Sequence, residues 1–309
     1  MRFYSDTEIE STYKMKDAIS DIQQVLNDLN ASKIINKERN VIEMEDTKNT
    51  MLYMPCVNLN SEYSILKTIS IFPDNTDHPV SQGVTLLSEL KHGEHIATLD
   101  SSYLTRLRTG AMSAIATDAL SSETSKVLAV IGTGGMAFEQ VLGILEVRPI
   151  ETIKLYNRSL DKAERFKQKL QSYGIKINIE VVSDMTEAVK DADIINCATR
   201  SEEAVFNYKD VKQNVHINGV GSYLPEMREI DIPAIEQAKV IVIDDIEGAT
   251  HEAGEFIQAE KENKFSFEQA IPLNKLQDQY DRDQLTIFKS VGAAYYDLAV
   301  TVGAYKKLK

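Results

Sequence analysis

The sequence predicts an α/β protein: a Rossmann-type, doubly wound parallel sheet inserted into a mixed α/β domain. Three observations point there. An apolar run, Val127–Ile131, stops at a glycine turn, and a helical pattern follows at once. From about residue 116 to 285, strand-like and helix-like patterns alternate, as a doubly wound sheet requires. Residues 1–115 and 286–309 lack that rhythm, so they are expected to form one domain around the inserted unit.

The chain has 309 residues, of which 43% are hydrophobic and 26% charged. That length suggests about two domains with sizeable cores. The formal net charge of −13 argues against nucleic acid or an anionic membrane as partner, because Lys and Arg drive phosphate binding. The two cysteines, Cys56 and Cys197, make no metal or redox spacing and are expected as free thiols in a reducing cytoplasm. The opening MRFYSDTEIE carries no basic-then-apolar signal pattern. No apolar run approaches the ~20 residues that a membrane span needs.

In the first segment, residues 15–29 make an amphipathic helix with Met15, Ile19, Ile22, Val25, Leu26 and Leu29 on one stripe. A polar stretch at 36–40 carries Lys37 and Arg39; on pattern alone, Arg39 reads as a surface residue. Strand-like runs at 51–56, 64–72, 84–90 and 95–99 are separated by turn signals such as Pro73-Asp74-Asn75 and His92-Gly93. In the second run, period-two alternation puts Lys67 on the same face as Ile65, Ile69 and Ile71. Burying an unpaired ammonium is costly. Lys67 is therefore either an edge-strand lysine that blocks aggregation or a functional group. Residues 104–120 read as a helix with Thr105 as N-cap. Arg108 shares its apolar face with Ala111, Met112 and Ile115. An inward arginine wants a carboxylate or phosphate, supplied either by a ligand or by an acidic residue of this chain.

The second segment has strands at 127–131, 152–157, 175–182, 193–198, 216–220 and 239–244, with helices from about 160 and over 184–190. Its central stretch, KVLAVIGTGGMA, is a strand, a glycine turn and a helix start, the context a dinucleotide fingerprint needs. Gly132 allows the tight turn, Gly134 lets backbone approach a pyrophosphate, and Ala137 takes the third small position. The pyrophosphate would lie on the N–H groups of the new helix. The plainer reading is an ordinary strand–helix turn. The end of the second strand selects the cofactor. An NAD site usually has Asp or Glu there; this chain has Asn157-Arg158-Ser159, which suits a 2′-phosphate. NADP is expected as the preferred cofactor and NAD as possible, unless Arg158 is simply a solvated loop residue. Cys197 reads as core and His216 as structural, and no histidine spacing suggests a metal. The last stretch, 285–309, leaves the alternation for a small-residue-rich helix through Asp297 to Tyr305.

Taken together, LYMP (52–55), LKTISIFPDN (66–75), QGVTLL (82–87), LTRLRTGAMSAIA (104–116), IGTGGMA (131–137) and FKSVGAAYYDLA (288–299) resemble the ornithine cyclodeaminase/mu-crystallin family in order and over nearly the whole chain. The resemblance implies a homodimer formed through the first domain and a substrate cleft between the domains. It implies carboxylate-binding arginines at Arg39 and Arg108 and an active-site lysine at Lys67. It implies cofactor contacts at Gln82, Gly135, Met136, Asn157, Thr199, Ile217, Asn218, Gly219, Val220 and Ser290, with Val291 near the substrate. One departure stands out. Ornithine cyclodeaminases carry a catalytic aspartate in a GGDCPGK stretch, and here Tyr223 and Met227 take the aspartate and lysine positions. The form GSYLPEMREID looks more like the alanine dehydrogenase and imine-reductase branches. The resemblance therefore implies an NAD(P)H-dependent oxidoreductase acting on C=N or CH–NH bonds of small amino or imino acids. The alternatives are an ornithine-cyclising lyase and a non-catalytic, crystallin-like NADPH-binding protein. Glu226, Arg228 and Glu229, just past the fifth strand, read either as a support layer or as a solvated charge cluster, with Arg228 solvated.

Overall fold

The structure is a computed structural model that describes residues 1–45, 47–277 and 279–309. In chain order its elements are β1 (Arg2–Tyr4), α1 (Asp6–Thr12), α2 (Met15–Asn30), β2 (Ile34–Asn36), β3 (Asn40–Glu43), β4 (Thr50–Asn58), β5 (Tyr63–Ile71), β6 (Ser81–Glu89), β7 (His95–Asp100) and α3 (Ser102–Leu120). Then come β8 (Val127–Ile131), α4 (Ala137–Val147), β9 (Thr152–Tyr156), α5 (Leu160–Tyr173), β10 (Asn178–Val182), α6 (Met185–Val189), β11 (Ile194–Cys197) and β12 (His216–Gly219). The chain closes with α7 (Ile232–Gln237), β13 (Val240–Ile243), α8 (Ile246–Glu252), α9 (Gly254–Lys261), β14 (Ile271–Pro272), β15 (Thr286–Lys289) and α10 (Ala294–Leu308). Two compact units emerge: Met1–Arg108 with Ala293–Lys309, and Thr109–Gly292. The division falls inside α3 and just before α10, where the sequence pattern suggested 115/116 and 285/286.

The discontinuous unit carries a sheet in the order β1-β7-β6-β5-β4-β2, with β3 paired to β4. Among the described residues, only the β1–β7 pairing of this sheet is parallel; the others are antiparallel. α10 packs on α1, α2, β4 and β5. The alternation of β5 follows from that covering: Ile65 and Lys67 are buried while Leu66 faces out. Because β5 pairs with β4 and β6 on its two sides, Lys67 is not an edge-strand lysine. The helix α3 begins at Ser102, earlier than the sequence suggested. Thr105 is therefore not its N-cap but lies in its first turn, where its hydroxyl donates to the Ser101 carbonyl at 2.6 Å.

The continuous unit is the Rossmann sheet, in the order β10-β9-β8-β11-β12-β15-β13-β14 and parallel throughout. Its central strands are buried on both faces. Leu128 and Val130 belong to one apolar cluster and Ala129 and Ile131 to the other, which explains the unbroken apolar run. The chain departs from β8 toward β9 on one side and returns to β11 on the other. That reversal is the switch point outside which ligands bind such sheets. One expectation needs correction: the alternation does not end at 285. β15 lies between β12 and β13, fully inside this sheet. It was hidden because it is short and is followed by α10, which belongs to the other unit, rather than by a covering helix of its own.

Candidate active site

In the discontinuous unit, Lys67, Arg108 and Asp297 form one buried charge cluster. Lys67 is 1% exposed, Arg108 8% and Asp297 2%. Lys67 Nζ donates to Asp297 Oδ1 at 2.7 Å and to Thr105 Oγ1 at 2.6 Å. Arg108 Nε stands 3.5 Å from the same Asp297 oxygen. Half-buried Arg39, between β2 and β3, adds its charge to the field at both Lys67 and Asp297. The sequence pattern therefore places Lys67 and Arg108 correctly inward, while Asp297 escaped it. The available signal was an acidic residue in an otherwise apolar helix, between buried Tyr296 and Leu298. Burial pushes the Lys67 ammonium below its ordinary pKa, against the opposing pull of Asp297. Burial alone would raise the Asp297 carboxyl, but Lys67 and Arg108 override it and hold the group below the usual carboxylate range.

This cluster is short of partners. Asp297 Oδ2, Arg108 Nε and the hydroxyl of Thr85 are buried with no hydrogen bond, and Thr85 is the register partner of Lys67. Two buried cations, Lys67 and Arg108, meet the one carboxylate of Asp297, so this trio carries an excess of positive charge. A small carboxylate would both neutralise it and fill the open valences. Gln82 lies on β6, exposed, opposite Ser70 of β5.

In the Rossmann unit, the residues of the glycine turn surround open space. Gly132 has φ of +87° and a Cβ there would come within 2.7 Å of Thr199 Cγ2, so the turn requires glycine. A Cβ on Gly134 or Gly135 would meet nothing within 4 Å. The buried Thr133 hydroxyl in the same turn has no partner. Met136 precedes α4, which starts beside this turn, the Ala137 N–H donating to the Gly134 carbonyl at 3.2 Å. The room beside Gly134 and Gly135, the orphaned Thr133 hydroxyl and a helix N-terminus together fit the diphosphate of a dinucleotide. At the end of β9, Asn157 Oδ1 accepts from the Thr133 N–H at 3.3 Å, and its Nδ2 donates to the Ser159 carbonyl at 3.0 Å. Arg158 between them is exposed, and Ser159 is the N-cap residue of α5.

Thr199 follows β11 and donates from both N–H and Oγ1 to Glu229. Ile217 and Asn218 are fully buried within β12. Asn218 Nδ2 donates to Thr117 at 3.0 Å, so from this stretch it is Gly219, Val220 and the turn after them that reach the carboxyl edge. The Ser290 hydroxyl donates to Asp244 at 2.7 Å, and the N–H groups of Val291 and Gly292 donate to the same carboxylate. His216 is buried between Thr286 and Asn218, and burial pushes its pKa down to about 3. It is a neutral structural residue. Cys197 sits in the core. Among the described residues, no group of His, Cys, Asp or Glu is arranged to hold a metal, and no helix is long and apolar enough to cross a membrane. Sequence reasoning also missed the burial of Glu255 and Lys289 and left that of Glu229 open; each is 0% exposed.

The comparisons agree in their direction. The model of the ornithine cyclodeaminase/mu-crystallin family matches residues 2–309. A Δ1-pyrroline-2-carboxylate reductase of Bacillus cereus is 34% identical over 316 aligned positions, covering 99% of this chain and 96% of that protein. A solved structure of the Thermococcus litoralis Δ1-pyrroline-2-carboxylate reductase, in complex with NADH and L-proline, superposes with a TM-score of 0.93 at 30% identity, covering 99% of this chain and 97% of the other. An archaeal alanine dehydrogenase dimer with bound NAD superposes with a TM-score of 0.90 at 27% identity, covering 99% and 95%.

Proposed function

The chain belongs to the ornithine cyclodeaminase/mu-crystallin family, and from that premise we propose that it reduces the C=N bond of a small cyclic imino acid of the Δ1-pyrroline-2-carboxylate type. It is an NAD(P)-dependent oxidoreductase of small amino or imino acids, as its near relatives are. The observation that carries the substrate class is the surplus of buried positive charge around Asp297. It calls for an anion small enough to enter the protein interior.

The geometry supports the following roles. Arg108 and Arg39 hold the substrate carboxylate, which fixes the imine carbon in place. Such positioning contributes several kcal/mol, about 7–11 at best. NAD(P)H, when bound, supplies the hydride. As the carbon accepts it, the ring nitrogen must gain a proton. Lys67 has three N–H bonds; Thr105 and Asp297 take two, leaving one for the substrate nitrogen. Its depressed pKa makes it a stronger acid near neutral pH than a free lysine. Asp297 keeps it protonated and in place.

The Gly132–Met136 turn and the N-terminus of α4 hold the diphosphate, and the ends of β11, β12 and β15 take the nicotinamide half. Exposed Arg158 and the Ser159 hydroxyl favour the 2′-phosphate of NADP over the free hydroxyl of NAD. Tyr223 supplies no carboxylate to bind a distal amine, so ornithine cyclisation is not the reaction. The homodimer is formed through the uncovered face of the discontinuous sheet, where Leu66 and Val84 are each 39% exposed. The alanine dehydrogenase relative is described as a dimer. The test is direct: NADPH and NADH oxidation with Δ1-pyrroline-2-carboxylate, compared with pyruvate plus ammonium and with ornithine.

A further inference from the structure

One fully buried carboxylate in the Rossmann unit takes no part in the chemistry just described. Glu229 follows β12 by a short loop and is 0% exposed. Its Oε1 accepts from the N–H of Thr199 and from Thr199 Oγ1 at 2.9 Å. Its Oε2 accepts from the N–H groups of Gly221 at 2.7 Å and Ser222 at 3.1 Å. One carboxylate thus takes donors from the ends of two neighbouring strands, β11 and β12. The two ends touch: a Cβ on Gly221 would collide with the Thr199 carbonyl oxygen and lie 2.7 Å from Glu229 Oε1.

A second buried layer braces the same turn. Lys289, the last residue of β15, donates to the Ser222 carbonyl at 2.7 Å, bonds the Ser222 hydroxyl, and pairs with Glu255 at 3.1 Å. The Ser222 hydroxyl also bonds Glu255 at 3.0 Å. Burial pushes the Glu229 carboxyl up, while Lys289 and the donor N–H groups pull it back. A buried carboxylate surrounded by N–H donors is costly to maintain unless it does something that an apolar residue cannot.

Position says what that is. The strand end that reads the adenosine ribose is β9, on one side of β8; β11 and β12 lie on the other side of the switch point. We propose that Glu229 is a positioning residue that locks the ends of β11 and β12 into one rigid edge, against which the nicotinamide ring is held for hydride transfer. The inference rests on the functional reading above. Glu229 touches neither substrate nor cofactor; it acts through Thr199 and the Gly221–Ser222 turn.

The test is Glu229→Gln in the full-length protein. The amide keeps one acceptor and sets an N–H₂ against the backbone donors. ADP-ribose, which lacks the nicotinamide, should bind within about twofold of the parent, while kcat falls about 100-fold, the usual cost of misplacing reacting groups by an ångström. The isotope effect on kcat with 4-deuterated NAD(P)H should rise, because hydride transfer becomes slow. A purely structural role changes none of these ratios per folded molecule. A kcat within about twofold of the parent overturns the proposal, as does ADP-ribose affinity falling in step with kcat. If Glu229→Gln does not fold, Thr199→Val removes the hydroxyl donor alone; about tenfold lower kcat with unchanged ADP-ribose binding supports the proposal, and unchanged kcat overturns it. Should the parent reduce no imine at all, the functional reading fails by itself. Binding then still decides this inference: the ratio of NAD(P)H to ADP-ribose dissociation constants should rise about tenfold in the variant, and an unchanged ratio contradicts it.

Discussion

Removing the anion from the Lys67–Asp297–Arg108 cluster should cost more stability than removing Lys67. Asp297 Oδ1 faces Lys67 Nζ at 2.7 Å and Arg108 Nε at 3.5 Å, all nearly fully buried. Asp297→Asn keeps the shape but leaves two buried cations side by side with no carboxylate between them. Breaking a buried pair this way costs about 3–5 kcal/mol. Lys67→Met leaves a neutral Arg108–Asp297 pair, so the loss should be about 1–3 kcal/mol, the cost of an unsatisfied partner. Urea unfolding followed by far-UV circular dichroism reads both. Activity should run the other way at acid pH. Lys67→Met removes the proton donor and about 10²–10⁴ of the rate at every pH. Asp297→Asn removes the group that keeps Lys67 protonated, so its pKa falls further and the activity profile moves to lower pH. L-proline, through its carboxylate, should stabilise Asp297→Asn more than the parent. Equal stability losses in the two variants, or a loss in Asp297→Asn below about 1 kcal/mol, would refute the charge count on which the substrate assignment rests.

Three further outcomes follow from single positions. His216 has a folded pKa near 3 against 6.5 when unfolded, so the unfolded chain binds the extra proton. Stability should then decline as pH falls from 6.5 toward 3, by up to about 5 kcal/mol, and His216→Gln should flatten that slope in acid titrations of unfolding. Arg158→Ala should raise KM for NADPH about tenfold or more and leave that for NADH nearly unchanged; equal effects on the two cofactors would remove Arg158 from the 2′-phosphate. In Gly221→Ala the new methyl would collide with the Thr199 backbone, so a drop in melting temperature matching about 1–3 kcal/mol is expected, and a neutral result would mean the two strand ends are not in contact.

The parts of this molecule that repeat with a period were legible from sequence. Val127–Ile131 and its glycine turn could be read residue by residue, since a two-sided strand and a tight turn each leave a local mark. Lys67 was placed on the inner face by alternation alone, and Arg108 by the helical spacing of Ala111, Met112 and Ile115. What alternation could not say was what lies opposite. Asp297 meets Lys67 from a helix at the other end of the chain; a lone acid in an apolar stretch hints at a buried partner, but nothing local says which residue that partner is. Glu229 could be read either as a support residue or as one member of a solvated charge cluster with Glu226 and Arg228; the donors that decide between the two sit on two strand ends that only folding brings together. β15 was hidden for a related reason, because its neighbours in the sheet are β12 and β13 rather than strands flanking a helix of its own. Thr105 was read as a cap because helix starts are marked weakly, and its hydroxyl serves Lys67 inside the first turn instead.

The measurement that tests the central claim most directly is nicotinamide absorbance over time with purified protein and Δ1-pyrroline-2-carboxylate, using NADPH and NADH in parallel. The account predicts cofactor oxidation with formation of proline, faster with NADPH at limiting concentrations, and nearly abolished in Lys67→Met. Proline formed from ornithine with no net change in cofactor, or a Lys67→Met variant with undiminished kcat, would contradict it.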